Sequence, residues 1–194
     1  MNWITFLILA YLFAGFDLGL HDLLAVRFAG GTVIAPSFVL VLMVCYASMA
    51  PAYQTMWSAL LLGLIVDLTA RFSDPTGSSL IIVGPNALGF MLGAALILQM
   101  RSMMYRRHPF VMPILTLLAG IAAVILAVFL ISVRHALGAW SGWYPSFTWS
   151  ATTSLYDGFF IILYSAVISL PISWILQRIN PILGFQMHSR IHSH

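Results

Sequence analysis

The sequence of 194 residues contains no lysine and no glutamate; its charge rests on eight arginines and five aspartates. Charged residues make up 7% of the chain, against about a quarter in a typical soluble domain. Hydrophobic residues make up 61%, and the mean hydropathy is +1.00. A chain this short cannot bury so much apolar surface in a globular core, because small domains leave a large share of their surface outside. The expected solvent for most of it is lipid. The missing glutamate rules out an H-E-x-x-H metalloprotease helix. No Walker or dinucleotide fingerprint occurs, so nucleotide chemistry is not expected. Ser78 and Ser79 of "PTGSSL" lack a G-x-S-x-G context for a nucleophile. Eight scattered arginines do not form the dense basic face that nucleic acid requires. The single cysteine, Cys45, has no partner for an intramolecular disulfide. His188, His192 and His194 in "MHSRIHSH" have spacing that could hold a metal, but a short tail of this kind is expected to be solvated. No enzyme, metal or cofactor is expected.

What is present is a series of apolar runs. A helix crossing the hydrocarbon needs roughly 20 mostly apolar residues. Six segments are read as spans: 3–23, 36–49, 53–70, 80–100, 110–133 and 153–176. The second and third nearly touch at "MAPAY", where Pro51 ends the earlier helix. The first lacks a basic n-region and a small-residue cleavage site, so it is read as a retained span rather than a signal. The expected architecture is an all-α, single-domain bundle of six transmembrane helices, with 177–194 as a short cytoplasmic tail. A three-plus-three repeat is conceivable, but no strong self-similarity is visible.

Arginine sets the expected orientation. With the N-terminus inside, the loop "RSMMYRRH", carrying Arg101, Arg106 and Arg107, is cytoplasmic, as are Arg178 and Arg190. Arg27, Arg71 and Arg134 then fall outside, which follows the positive-inside rule. Tryptophan favours membrane interfaces. Trp3, Trp57 and Trp174 fall at inner ends, and Trp140, Trp143 and Trp149 in the last outer loop.

The acids are the odd residues in such a chain. At a rise of about 1.5 Å per residue, Asp67 lies in the outer third of the third span, with Arg71 one turn further on the same face. Asp17 lies at a similar depth in the first span, followed by His21, and Asp157 enters the last span from outside. Charges at that depth face protein or water rather than lipid. Two readings stand. In one, each acid pairs locally with its Arg or His, or caps a loop, and holds helices in register. In the other, Asp67, Arg71, Asp17, His21 and Asp157 form a polar pocket or a partner-docking site. A proton relay is not expected, because no charged path continues inward. Small residues suggest how the bundle closes: Gly15 and Gly19, and Gly89 and Gly93, form G-x-x-x-G pairs that let helices approach. Gly63 clears space one turn before Asp67. Pro171 is expected to kink the last span.

The stretch "GLIVDLTARFSDPTGSSLIIVGPNALGFMLGAALI", with "APSFVLVLMVCYASMAP" before it and "ISLPISWILQRINPIL" after it, resembles the bacterial rod-shape-determining MreD family. Gly63 and Asp67 match that pattern residue by residue; Gly89 and Pro171 match it more loosely. Two departures stand out. Pro36-Ser37 stands where the family often has Pro-Asp, and the last outer loop is longer and more aromatic. The resemblance implies a non-enzymatic, multi-pass inner-membrane protein of the sidewall-building machinery, with both termini cytoplasmic. Its implied direct partner is MreC, bound through the membrane. MreB, RodA and a class B penicillin-binding transpeptidase would belong to the wider complex, with the basic loop facing cytoplasmic partners or anionic lipid. The family fold also looks like the substrate-binding S component of energy-coupling-factor transporters. The alternative function is therefore a vitamin-binding transporter subunit, which would need an outer pocket with the 140–149 loop as its lid.

Overall fold

A computed structural model of the chain describes residues 3–27, 33–70, 72–73, 79–101, 111–141 and 150–179. It is predominantly helical. The helices are α1 (Trp3–Gly19), α2 (His21–Leu24), α3 (Phe38–Met49), α4 (Ala52–Thr69), α5 (Pro85–Met100), α6 (Val111–Ser141) and α7 (Ala151–Ile179). Two of them contain stretches long and apolar enough to cross a membrane, Val111–Gly138 in α6 and Ala151–Ile172 in α7. Two small antiparallel ladders depart from the all-helical expectation. Strand β1 (Val26–Arg27) pairs with β2 (Val33–Ile34), and β3 (Phe72–Ser73) with β4 (Ser79–Leu80).

The apolar segments read from the sequence each carry a helix, with shifted ends. The expected 3–23 segment breaks after Gly19, a residue that disfavours helix continuation, and the chain restarts as α2. The start of 80–100 moves to Pro85, because Pro at the first helical position and the turn at Gly84 define the N-terminus. The segment 110–133 continues to Ser141. Helix α7 remains helical on both sides of Pro171.

Burial explains the arrangement. Helix α3 is only 12 residues long, yet every residue from Phe38 to Ala47 is buried. A helix that is apolar all round belongs inside other helices. Accordingly α1, α4, α5, α6 and α7 all pack on α3. Helices α4, α5, α6 and α7 also pack each on the next, forming a wall around it, whereas α1 packs mainly on α3.

Glycine and alanine set the closest approaches. A Cβ built on Gly89 would lie 2.6 Å from the Ala123 carbonyl oxygen, and one on Gly93 2.8 Å from that of Ala119. The small residues of α5 thus meet a matching small-x-x-x-small face on α6, which lets the two backbones touch. Across the other face of α6, Gly120 faces Ile162 and Gly158 faces Val124. The pair in α1 behaves differently. A Cβ on Gly15 or Gly19 meets nothing within 4 Å, so the expectation that this G-x-x-x-G packs the bundle is corrected. It points away from the described neighbours because α1 turns its buried side, Phe6, Ala10 and Phe13, toward α3.

Arg101 also has a different role from the one its loop suggested. Its Nη1 donates to the Ala50 carbonyl at 2.6 Å. Ala50 is the C-cap of α3, and Arg101 itself caps α5. The guanidinium therefore sits at the negative end of the α3 dipole and donates to a carbonyl whose other donor is Thr55 Oγ1 at 3.4 Å. Arg106 and Arg107 lie outside the described residues. Arg101→Met is expected to cost about 2 kcal/mol, as for a lost hydrogen bond to a charged group. Thermal melting of the detergent-purified protein measures this; an unchanged midpoint would show that Thr55 Oγ1 alone suffices for the Ala50 carbonyl.

Candidate functional site

Asp67, near the C-terminal end of α4, is only 1% exposed. Its neighbour is the N-terminus of α5, whose first N–H groups have no partners within the helix. Oδ2 accepts from the backbone N–H of Gly84 at 2.8 Å and of Ala87 at 3.1 Å. Oδ1 accepts from the backbone N–H of Asn86 and from its side-chain Nδ2, both at 3.0 Å. Pro85 has no N–H to satisfy. The Leu88 N–H then makes the first helical bond, to the Gly84 carbonyl. One carboxylate therefore saturates the whole N-terminus, where a negative charge also meets the positive end of the dipole.

Two glycines make this possible. Gly84 has φ of 121°, a left-handed conformation that side chains resist. Gly63 lies one turn before Asp67, and a Cβ there would fall 2.5 Å from the Ala87 Cα and 2.7 Å from the Asn86 carbonyl oxygen. Without a side chain at Gly63, the start of α5 can lie directly against α4.

The same construction occurs once more. Asp17, near the end of α1, accepts from the Phe38 N–H through Oδ1. Its Oδ2 accepts from the Val39 N–H and the Ser37 hydroxyl, both at 3.3 Å. The Ser37 N–H donates to Ser165 Oγ of α7 at 2.8 Å, and the Leu40 N–H to Ser37 Oγ at 3.3 Å. All four orphan N–H groups of α3 are thereby paired. In both helix pairs, α1 with α3 and α4 with α5, an acid near a helix end is followed by a two-residue ladder. A proline and then Ser37 or Asn86 come next, just before the first helical residue of α3 and in the first turn of α5. The self-similarity not visible in the apolar residues lies in these polar ones: Asp17, Pro36 and Ser37 correspond to Asp67, Pro85 and Asn86.

At the same end of the bundle lies a cavity of about 620 Å³. Asp17 and His21 line it from one side, Ser154 and Asp157 of α7 from another, with Ser37 and Asn86 between. The remaining walls are largely aliphatic, from α6 and α7. Asp17, His21 and Asp157 all line this cavity. The lining does not include Asp67, which lies behind Asn86 and is already saturated, so its expected role in docking a partner is corrected. The reason is burial: no outside group can reach a carboxylate enclosed by four donors. His21 also departs from expectation. Its Nδ1 is 3.3 Å from Asp22 Oδ1, at the exposed start of α2, so its side-chain hydrogen bond is with Asp22. Arg71, the expected partner of Asp67, lies outside the described residues.

Five contributors escaped sequence reasoning. Gly84 and Asn86 were signalled only by "VGPNA", a glycine-proline turn at a helix start. Ser165, 0% exposed, is one hydroxyl in an apolar helix and carries no sequence signal for a contact 128 positions away. Gly120 and Gly158 belong to no motif. Compared with models of protein families, with curated proteins and with solved structures, the chain matches none.

Proposed function

We propose that the chain is a non-enzymatic inner-membrane scaffold of the MreD kind, which binds MreC and takes part in rod-type wall elongation. In this reading all six helices α1, α3, α4, α5, α6 and α7 cross or enter the bilayer, with both termini in the cytoplasm. The wide exposure of Ile4, Tyr11, Tyr156 and Val167 on the bundle's outside fits a lipid boundary, since water disfavours such surfaces. Trp3, Trp57 and Trp174 are exposed at one end, as an interfacial belt requires.

The observation that carries the scaffold reading is the outward-facing pair Gly15 and Gly19 on α1, the helix that packs mainly on α3. A small-residue face on a peripheral helix admits another transmembrane helix to close backbone contact. MreC contributes one such helix, and MreB, RodA and a class B penicillin-binding transpeptidase complete the proposed assembly. Coexpression tests this. Replacing Gly15 and Gly19 with leucine is expected to remove most MreC from a pull-down while leaving the melting temperature within a few degrees. Equal recovery would remove α1 as the docking helix.

A second reading is favoured by the cavity. Its volume of about 620 Å³ lies inside the usual range for small-molecule sites, about 300–1,000 Å³. A substrate-binding transporter subunit would present such a chamber at the outer face.

A further inference from the structure

Resting on that second reading, we propose that the cavity takes an organic cation, an ammonium or amidinium group on an apolar body. The argument is a hydrogen-bond inventory of its polar wall. Ser37 spends its hydroxyl proton on Asp17 and Thr69 spends its own on the Val66 carbonyl. Asn86 commits one of its two amide N–H bonds to Asp67, which leaves its carbonyl oxygen and one N–H available. His21 has Nδ1 in contact with Asp22 Oδ1 at 3.3 Å, which leaves Nε2 as its other polar atom. Asp17 and Asp157 are carboxylates, and Asp157 makes no hydrogen bond among the described residues. Ser154 supplies the one uncommitted hydroxyl.

The lining therefore sets two carboxyl groups and further acceptors against a few neutral donors, and no arginine among the described residues lines it. An anionic or acceptor-rich ligand would leave its own groups and those of the wall unpaired, at a cost that apolar contact does not recover. A donor-bearing cation matches both features. Its head meets Asp157, Asn86 Oδ1 and Asp17, and its body meets the aliphatic wall of α6 and α7. Asp17 is partly neutralised by the N-terminus of α3, so Asp157 carries the larger share of the attraction. The amine has two possible sources, a soluble molecule or the headgroup of a lipid such as phosphatidylethanolamine.

Three indole probes of nearly equal size separate charge from shape: tryptamine (cationic), tryptophol (neutral) and indole-3-propionate (anionic). With full-length protein in maltoside, tryptamine is expected to bind at least tenfold more tightly than tryptophol. Asp157→Asn should abolish that preference without moving the melting temperature by more than a few degrees. Repeating the titration in phosphatidylethanolamine and in phosphatidylglycerol nanodiscs identifies the source. Competition by the former makes the lipid amine the occupant, and equal binding in both makes it a soluble amine. Indole-3-propionate or tryptophol binding as well as tryptamine would overturn the charge assignment and leave the cavity as a ligand site. If none of the three binds in either medium, the cation assignment and the transporter-subunit reading fall together. The wild-type comparison decides the charge question even if the variant misfolds.

Discussion

Asp67→Leu is expected to lower the melting temperature of the detergent-purified chain by about 10 °C, the scale of a loss near 4 kcal/mol in a protein of this size. The substitution removes the acceptor for three backbone N–H groups and the Asn86 amide. Each buried donor left unpaired costs about 1–3 kcal/mol, and an apolar surrounding offers no water to replace it. Asp67→Asn keeps the shape and one accepting oxygen, so it should fall between leucine and wild type. Asp17→Leu gives the informative comparison. Ser165 and Ser37 continue to satisfy two of the four N–H groups of α3, so its loss should be smaller than that of Asp67→Leu. Hydrogen exchange at Gly84, Asn86 and Ala87 should rise in the Asp67 variants. An Asp67→Leu protein that melts with the wild type would mean that α5 does not depend on this carboxylate.

Gly63→Ala is expected to be nearly as damaging, though it adds one methyl group. That methyl would lie 2.5 Å from the Cα and 2.9 Å from the N of Ala87. Both atoms are backbone, so relief requires the start of α5 to move away from α4, which draws it off Asp67. The two sites are therefore coupled. Gly63→Ala combined with Asp67→Leu should cost clearly less than the sum of the two, as residues in one network do. Gly15→Ala is the control. Its methyl meets nothing within 4 Å, and alanine is the better helix former by about 1 kcal/mol. Melting midpoints for the two alanine variants should move in opposite directions. Equal behaviour would remove close approach as the reason for Gly63.

The residues around Asp67 also show what kind of information each level holds. That "GLIVD" forms a helix and that an acid within so apolar a run faces protein rather than apolar surroundings follow from the local sequence alone. Which protein groups the acid meets does not, because the donors at Gly84, Asn86 and Ala87 lie 17 to 20 positions away across a ladder. For the same reason the two G-x-x-x-G pairs read alike in sequence. Only packing separates Gly89 and Gly93, pressed on α6, from Gly15 and Gly19, which face outward.

Composition by itself determined the apolar character of the chain and the positions of its main helices, because hydrophobicity and helix-ending prolines act locally. Residue order also placed three acids toward one end, since counting residues along a helix measures distance from its terminus. Tertiary structure alone decided that α3 is the enclosed helix, that Asp17 and Asp67 are caps, and that Asp157 is left at a cavity. Those outcomes depend on which backbone N–H groups a fold leaves without partners, and that is a property of how helix ends meet in space.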